Sequence, residues 1–246
     1  MNQNKLSIII PAYNEEKNIY RTIDKIVNCH DDLDYDYEVI VVVDGAEDKT
    51  EQEAKRHRSA KVRVFAYSKN HGKGYALKYG TQKASGDIVT FTDAGGDFDP
   101  TQFDKFIKVL EAFDADMVIG SKRHPASRVN YPLKRRIFSW GYHKIVDTLF
   151  GLKVTDTQTG LKVIKTSVAK KVMPLLLVKR YAFDLEMLMV AKQLGFGRLF
   201  EAPVEMNFNA AISGVSWTAI VRMFIDTMAV FYRAKVLNYY RKQAKS

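Results

Sequence analysis

The chain has 246 residues, 46% of them apolar, and a formal net charge of +10. That is enough for one large domain with its own core, and no Pro/Gly/Ser-rich linker divides it. A single cysteine, Cys29, excludes an internal disulfide and a cysteine-based zinc site and is expected in helix packing, and the five histidines show no metal-binding spacing.

Met1 to Ser7 leads directly into a strand from Leu6 to Pro11 without the apolar stretch of a signal peptide, so no cleaved targeting segment is expected. At the strand's carboxyl end, Pro11-Ala-Tyr-Asn-Glu-Glu16 offers Tyr13 to stack on a base and Glu15 to bond a polar ring edge. A turn capped by Asn14 with a first-turn acid explains the same residues. A helical pattern over Glu15 to Cys29 precedes a strand from Glu38 to Val43. Asp44 closes that strand, suited to a base or ribose hydroxyl or to capping the turn before Asp48. A helix over Asp48 to Arg58 and a strand over Val62 to Tyr67 follow.

Asn70-His-Gly-Lys-Gly-Tyr-Ala76 opens a helix over Gly74 to Ala84, so its backbone N–H groups and Lys73 can face a diphosphate. The spacing is not that of a Walker motif, and a glycine-rich turn without a ligand is the plain alternative. The run Ile88 to Thr92 reads as a buried strand ending in Asp93-Ala-Gly-Gly-Asp-Phe-Asp99. Asp93, Asp97 and Asp99 crowd onto this turn where open α/β sheets bind ligands, as a hard oxygen-ligated cation such as Mg²⁺ or Mn²⁺ requires. Capping of the next helix by Asp99 or Thr101 is the alternative.

A helix over Gln102 to Phe113 and a strand over Asp116 to Ser121 complete an alternating βα series, hence a largely parallel sheet flanked by helices. Beyond it lie the basic groups Ser121-Lys-Arg-His124 and Lys134-Arg-Arg136, a helix from about Pro132 to Phe150, and the turn Asp156-Thr-Gln-Thr-Gly160. A short strand, a helix over Phe183 to Leu194 and a strand over Glu201 to Phe208 follow. Asp156, Gln158, Asp184 and Glu186 are polar candidates, with capping as the alternative for Asp156 and Asp184. The tail, Trp217 to Tyr240, repeats apolar residues at spacings of three and four among Arg and Lys, as in a long amphipathic helix or helix pair. No apolar stretch is long enough to cross a membrane, so any membrane contact is expected to be peripheral or through a partner.

Charge is uneven. Residues 1–120 carry 16 Lys/Arg against 21 Asp/Glu, whereas 121–246 carry 22 against 7. A basic half suits nucleic acid, anionic lipid or a phosphate-bearing substrate. The acidic first half and the lack of a nucleic-acid module argue against nucleic acid.

Taken together and in order, Ile8-Ile-Ile-Pro-Ala-Tyr-Asn-Glu-Glu16, Val41-Val-Val-Asp-Gly45, Asn70-His-Gly-Lys-Gly74, Ala84-Ser-Gly-Asp87 with Asp93-Ala94, and Asp156-Thr-Gln-Thr-Gly-Leu-Lys162 resemble the family-2 glycosyltransferases of the inverting GT-A fold. Within the family, the last motif followed by Arg180-Tyr-Ala-Phe-Asp-Leu-Glu186 is similar to the dolichyl-phosphate glucose synthases, with the mannose synthases near second. The resemblance implies an α/β GT-A catalytic domain over 1–212 and an amphipathic basic tail over 213–246. It places Pro11, Tyr13, Glu15 and Asp44 on the nucleotide, Lys73 near the diphosphate and Asp93 on metal and nucleotide. The second acid of the usual Asp-x-Asp is Gly95, so Asp97 is expected to complete the metal pair.

Lys122, Arg123, Arg135 and Arg136 are assigned to the acceptor phosphate, Asp184 and Glu186 to donor or acceptor hydroxyls, and Asp156 and Gln158 to sugar or acceptor. The implied reaction moves a hexose, UDP-glucose being the first donor and GDP-mannose the second, to a polyprenyl or dolichyl phosphate. A saccharide acceptor, needing Asp184 or Glu186 as general base, and a non-catalytic nucleotide-sugar-binding module are the alternatives. The glucose-synthase subgroup commonly carries an N-terminal membrane anchor, for which a membrane-anchoring subunit or docking of the tail on a membrane surface is expected to substitute. The expected location is the cytoplasm, peripheral at the cytoplasmic face of a membrane.

Overall fold

The computed structural model describes residues 5–30, 36–129, 133–152, 154–206 and 217–244, with the side chains of 133–138 and 217 outside the description. The β-branched runs of the first half become β1 (Leu6–Ala12), β2 (Tyr37–Asp44), β3 (Val62–Tyr67) and β4 (Ile88–Phe91), joined by α1 (Ile19–His30), α2 (Thr50–Lys55) and α3 (Lys73–Lys83). β2 and β4 are buried throughout, as strands apolar on both faces require, while β3 is partly exposed at the sheet edge. The chain continues through α4 (Gln102–Ala112), β5 (Met117–Ser121), β6 (Arg128–Val129), α5 (Leu133–Phe150), β7 (Lys162–Lys165), α6 (Thr166–Val172) and α7 (Phe183–Gln193). β8 (Leu199–Pro203), β9 (Glu205–Met206), α8 (Trp217–Phe231), a π-helical turn over Tyr232–Val236 and α9 (Tyr239–Gln243) end it.

The seven-stranded sheet has the order β3-β2-β1-β4-β7-β5-β8. β7 runs antiparallel to both β4 and β5, and the remaining pairs are parallel. β6 and β9 form a separate two-stranded parallel pair. Successive side chains of β1 enter opposite layers: Ile9 packs with Leu77, Phe183 and Leu188, and Ile8 and Ile10 pack with Ile23, Phe103 and Phe106. The carboxyl ends of β1, β2, β4 and β5 and the amino end of β7 therefore share one rim of the sheet.

Two element boundaries in particular differ from the sequence expectation. α1 starts at Ile19, not Glu15, because Asn14 takes φ 53° and the Glu15 and Glu16 amides donate to Thr50 Oγ1 (2.7 Å) and Asp48 Oδ2 (3.1 Å). The strand expected over Glu201 to Phe208 begins at Leu199, where pairing with Met117 starts, and breaks at Val204; residues 207 and 208 lie outside the described residues. The tail packs on the domain. Thr227, Val230, Ala234 and Tyr240 are buried, and the Gln193 side chain donates to the Ala234 carbonyl at 2.9 Å. Its outer face stays exposed, and no helix among the described residues is long and apolar enough to cross a membrane.

Candidate active site

The rim is built from the turns that follow the strand ends, and their charged side chains approach one another there. β4 ends at Phe91, and the Asp93 turn is pinned to α1 by the Thr22 hydroxyl, which donates to the Ala94 carbonyl at 2.8 Å. Lys73, the first residue of α3, reaches back to Asp93 in a direct ion pair. Lys162 lies across from Phe91 and Ile119 in the register, so the first residue of β7 stands between β4 and β5. Its ammonium is fully buried and donates to the Thr159 carbonyl and to Asp184 at 2.7 Å. A third lysine, Lys122, pairs with Asp156 at 3.4 Å.

These pairs act on one another. Desolvation raises the Asp93 pKa, but Lys73, Lys162 and Lys122 outweigh it and hold the carboxyl below its ordinary value. Desolvation lowers Lys73, and Asp93, Asp184 and Asp97 reverse that and hold it above. Burial keeps Lys162 below its ordinary value despite the opposing pull of Asp184. Asp97 is pushed up, first by burial and then by Asp93 and Glu15, which places three acids within electrostatic reach.

The turn that carries Asp156 is fixed by its own hydrogen bonds. Asp156 accepts from Thr159 Oγ1 (2.7 Å) and from the Gln158 and Lys122 amides (2.9 and 3.1 Å), while Glu201 accepts from the Thr155 and Asp156 amides. Burial raises the Asp156 pKa, and Lys122 and these bonds bring it below its ordinary value. The turn ends at Gly160, whose α-carbon abuts Asp93. A Cβ there would overlap the carboxylate, 3.1 Å from its Cγ.

Several expected residues converge here: Asp93, Asp97, Lys73, Lys122, Asp156 and Asp184, with Glu15 near Asp97. Tyr13 is exposed at the end of β1, and Pro11 is half-buried within it. Gln158 is half-buried in the Asp156 turn. Arg123 donates to Ser139 at 3.1 Å. The side chains of Arg135 and Arg136 lie outside the described residues.

Three of the expected acids are engaged by the protein's own donors. Asp44 is 2% exposed and its two oxygens accept from the His71 and Gly72 amides at 2.8 and 2.7 Å, so it shapes the diphosphate loop. Gly45, at φ 63°, lets that loop close, since a Cβ would lie 2.9 Å from the Asn70 Cα. Asp99 accepts from the Thr101 amide and hydroxyl (2.9 and 2.7 Å), in the turn that leads into α4. Glu186 is fully buried and accepts from the Leu177 and Val178 amides (2.9 and 2.7 Å), from Arg233 (3.1 Å) and from the Tyr240 hydroxyl, which commits it to holding the tail. Lys162 and Gly160 were legible only as letters of the Asp156 motif. Glu201 carried no local signal.

The family model for Glycosyl transferase family 2 matches residues 7–173. The dolichyl-phosphate beta-glucosyltransferase of Dictyostelium discoideum is 31% identical over 233 residues, covering 87% of this chain and 67% of its own. The human protein of the same name is 32% identical over 232 residues, covering 88% and 68%. A dolichol-phosphate mannosyltransferase of Pyrococcus furiosus is 33% identical over 139 residues, covering 56% and 39%. Among solved structures, glucosyl-3-phosphoglycerate synthase from Mycobacterium tuberculosis in complex with Mn²⁺, UDP-glucose and phosphoglyceric acid superposes with a TM-score of 0.70 at 20% identity, over 93% of this chain and 79% of that one. Mannosyl-3-phosphoglycerate synthase from Rubrobacter xylanophilus gives 0.72 at 19%, over 94% and 75%. These structures share the mostly parallel sheet flanked by helices, the GT-A fold. With a lysine from the glycine loop on the acid that ends β4, and a family match over most of its length, this chain is a glycosyltransferase and belongs to glycosyl transferase family 2.

Proposed function

We propose that the protein transfers glucose from UDP-glucose to a dolichyl or other polyprenyl phosphate with inversion at the anomeric carbon. The observation that carries this is the convergence of Lys73, Asp93, Asp97 and the Lys162–Asp184 pair on one rim, in a chain whose relatives of about 30% identity include dolichyl-phosphate beta-glucosyltransferases.

The residues present fit a divalent cation. Among the described residues no three His, Cys, Asp or Glu side chains form a cage, but Mg²⁺ and Mn²⁺ bind to one or two carboxylates and complete their shell with substrate phosphates. Lys73, Lys122 and Lys162 against Asp93, Asp97, Asp156 and Asp184 leave the cleft with a formal excess of negative charge. A nucleoside diphosphate would add to that excess, so donor binding calls for a further cation. Asp93 and Asp97 would hold it, and it would supply charge stabilisation to the departing diphosphate. Room exists at Gly95 as well, where a Cβ would meet nothing within 4 Å.

Tyr13 and Glu15 receive the base, and Asp44 acts on the donor through the loop it shapes. Lys73 leaves Asp93 for the diphosphate as negative charge develops on the leaving oxygen. The acceptor's phosphate oxygen, already anionic near neutral pH, forms the new bond to the anomeric carbon as the bond to the diphosphate breaks. No strong general base is needed, which agrees with the commitment of Asp184 to Lys162 and of Glu186 to the tail. Lys162 holds Asp184 in place to orient hydroxyls of the sugar, and Asp156 and Gln158 border the same space. Lys122, Arg123, Arg135 and Arg136 are assigned to the acceptor phosphate. A saccharide acceptor is disfavoured because it needs one of those carboxylates free.

Transfer of mannose from GDP-mannose is the second reading, favoured by the Pyrococcus relative. A panel of UDP- and GDP-sugars with a short-chain polyprenyl phosphate and Mn²⁺ tests both. Transfer from UDP-glucose alone supports the first, transfer from GDP-mannose alone the second, and transfer only to a sugar would overturn the acceptor class. Peripheral attachment at the cytoplasmic face of a membrane follows from a lipid acceptor and is proposed with it.

A further inference from the structure

α8 is amphipathic in an unusual sense: its inner face is domain core, and its outer face is apolar too. Thr227, Val230 and, beyond the helix end, Ala234 are wholly buried. Val221, Phe224, Ile225 and Met228 stand exposed at spacings of three and four, and Tyr232 and Val236 extend the line beyond the helix. Phe224, Ile225 and Val236 are 48%, 59% and 59% accessible, too much for side chains that simply cover the domain.

A pocket of about 340 Å³ opens at the edge of this stripe, lined by Lys179, Arg180, Tyr181, Arg222, Ile225 and Asp226. Ile225 belongs to both stripe and pocket. Among the described residues none of the three cations is held in an ion pair, so the pocket carries three positive charges against one carboxylate. Two net positive charges match a phosphate monoester, which bears about −1.5 to −2 at pH 7. A phosphodiester lipid bears only one. Two of its lining residues abut the diphosphate loop: Arg180 packs on Gly72, and the Gly74 amide donates to the Lys179 carbonyl at 3.0 Å. Lys73, between those glycines, is the residue paired with Asp93.

We propose that this pocket captures the phosphate monoester head group of the acceptor lipid, while the α8 stripe lies in the lipid surface around it. The assignment rests on the polyprenyl-phosphate reading above and adds to it the place of entry. Paired arginines suit a phosphate through bidentate contacts, and apolar side chains ringed by Arg and Lys suit a lipid interface. The lipid phosphate would thus first be held at the membrane level, beside the loop that faces the donor's diphosphate, and pass from there to the Lys122 and Arg123 side for transfer.

Vesicle flotation of the full chain tests this, using zwitterionic vesicles that contain either a long-chain polyprenyl phosphate or phosphatidylglycerol at matched surface charge. The wild-type chain should prefer the polyprenyl-phosphate vesicles. Lys179→Ala/Arg222→Ala should lose about tenfold in recruitment per cation removed, down to the phosphatidylglycerol level, and raise the acceptor KM with little change in that for the donor. Asp226→Asn, which removes the pocket's carboxylate, should shift both readings the other way and guards against a double variant that misfolds. A retained preference in the double variant, or no response to Asp226→Asn, overturns the pocket while leaving the acceptor class intact. Equal recruitment of the wild type by both vesicles, with transfer to polyprenyl phosphate still observed, reduces the surface to a general anionic-lipid contact and also overturns it. Absence of transfer to any polyprenyl phosphate overturns the acceptor class and the pocket together.

Discussion

Glu186 separates the structural account from the catalytic one most sharply. Its carboxylate is fully buried in α7, with the Leu177 and Val178 amides on one oxygen and Arg233 and Tyr240 on the other. Desolvation lowers the Arg233 pKa, and Tyr240 and Glu186 reverse that and hold it above its ordinary value; burial followed by Glu186 raises Tyr240. Both partners therefore depend on a charged carboxylate. Glu186→Ala would strand Arg233 and two amides, and breaking a buried pair from one side costs about 3–5 kcal/mol. For a domain of this size that is a fall of about 6–20 °C in Tm, at about 2–4 °C per kcal/mol. Glu186→Gln keeps an oxygen for the two amides but loses the counter-charge to Arg233, so about 1.5–3 kcal/mol is expected, the worth of a charged hydrogen bond. Thermal unfolding of the full chain gives the first reading, and kcat at saturating acceptor, well below either transition, gives the second. The Tm should fall in both variants while kcat per folded molecule holds. An unchanged Tm with collapsed turnover in Glu186→Gln would refute this reasoning and return Glu186 to the chemistry as a base.

The remaining expectations concern charge and close approach. Burial pushes the Glu38 pKa up, but the Ser85 amide and hydroxyl, Arg63 and Ser7 outweigh it and hold it at about 2, below its ordinary 4.5. A depressed carboxyl stabilises the fold above the unfolded value and loses that contribution as pH falls through the folded one. Stability should therefore decline between about pH 4.5 and 2 by up to about 3 kcal/mol, and Glu38→Gln should flatten that part of a chemical-denaturation profile. Equal slopes in the two proteins would remove Glu38 as the cause. Gly160→Ala drives a methyl into the Asp93 carboxylate and should cost about 1–3 kcal/mol in donor kcat/KM, with the far-ultraviolet dichroism unchanged. Normal kinetics would show that Asp93 has room to move. Asp97→Asn should raise the Mn²⁺ concentration needed for half-maximal transfer, and Gly95→Asp, which has open space, should lower it. A metal titration indifferent to both substitutions would take Asp97 out of the cation site.

Much of the fold was legible in the chain because its signals are local. The apolar runs of β1, β2 and β4 have no polar face to expose and must be central strands, and the glycine loop before α3 and the acids after β4 fall at their carboxyl ends by the rules of parallel sheets. Asp93, Lys73 and Asp156, each carried by a local motif, come together on that rim. Sequence could not assign Asp44 or Glu186, because a carboxylate in a motif reads the same whether it meets a ligand or two backbone amides. Only the folded chain brings His71 and Gly72 to Asp44, or Arg233 across 47 residues to Glu186. Nor does amphipathic periodicity say which side of α8 is inside. Both of its faces are apolar, and packing of Val230, Ala234 and Tyr240 on the sheet's helical layer, a tertiary event, leaves Val221, Phe224 and Ile225 facing out beside Arg222.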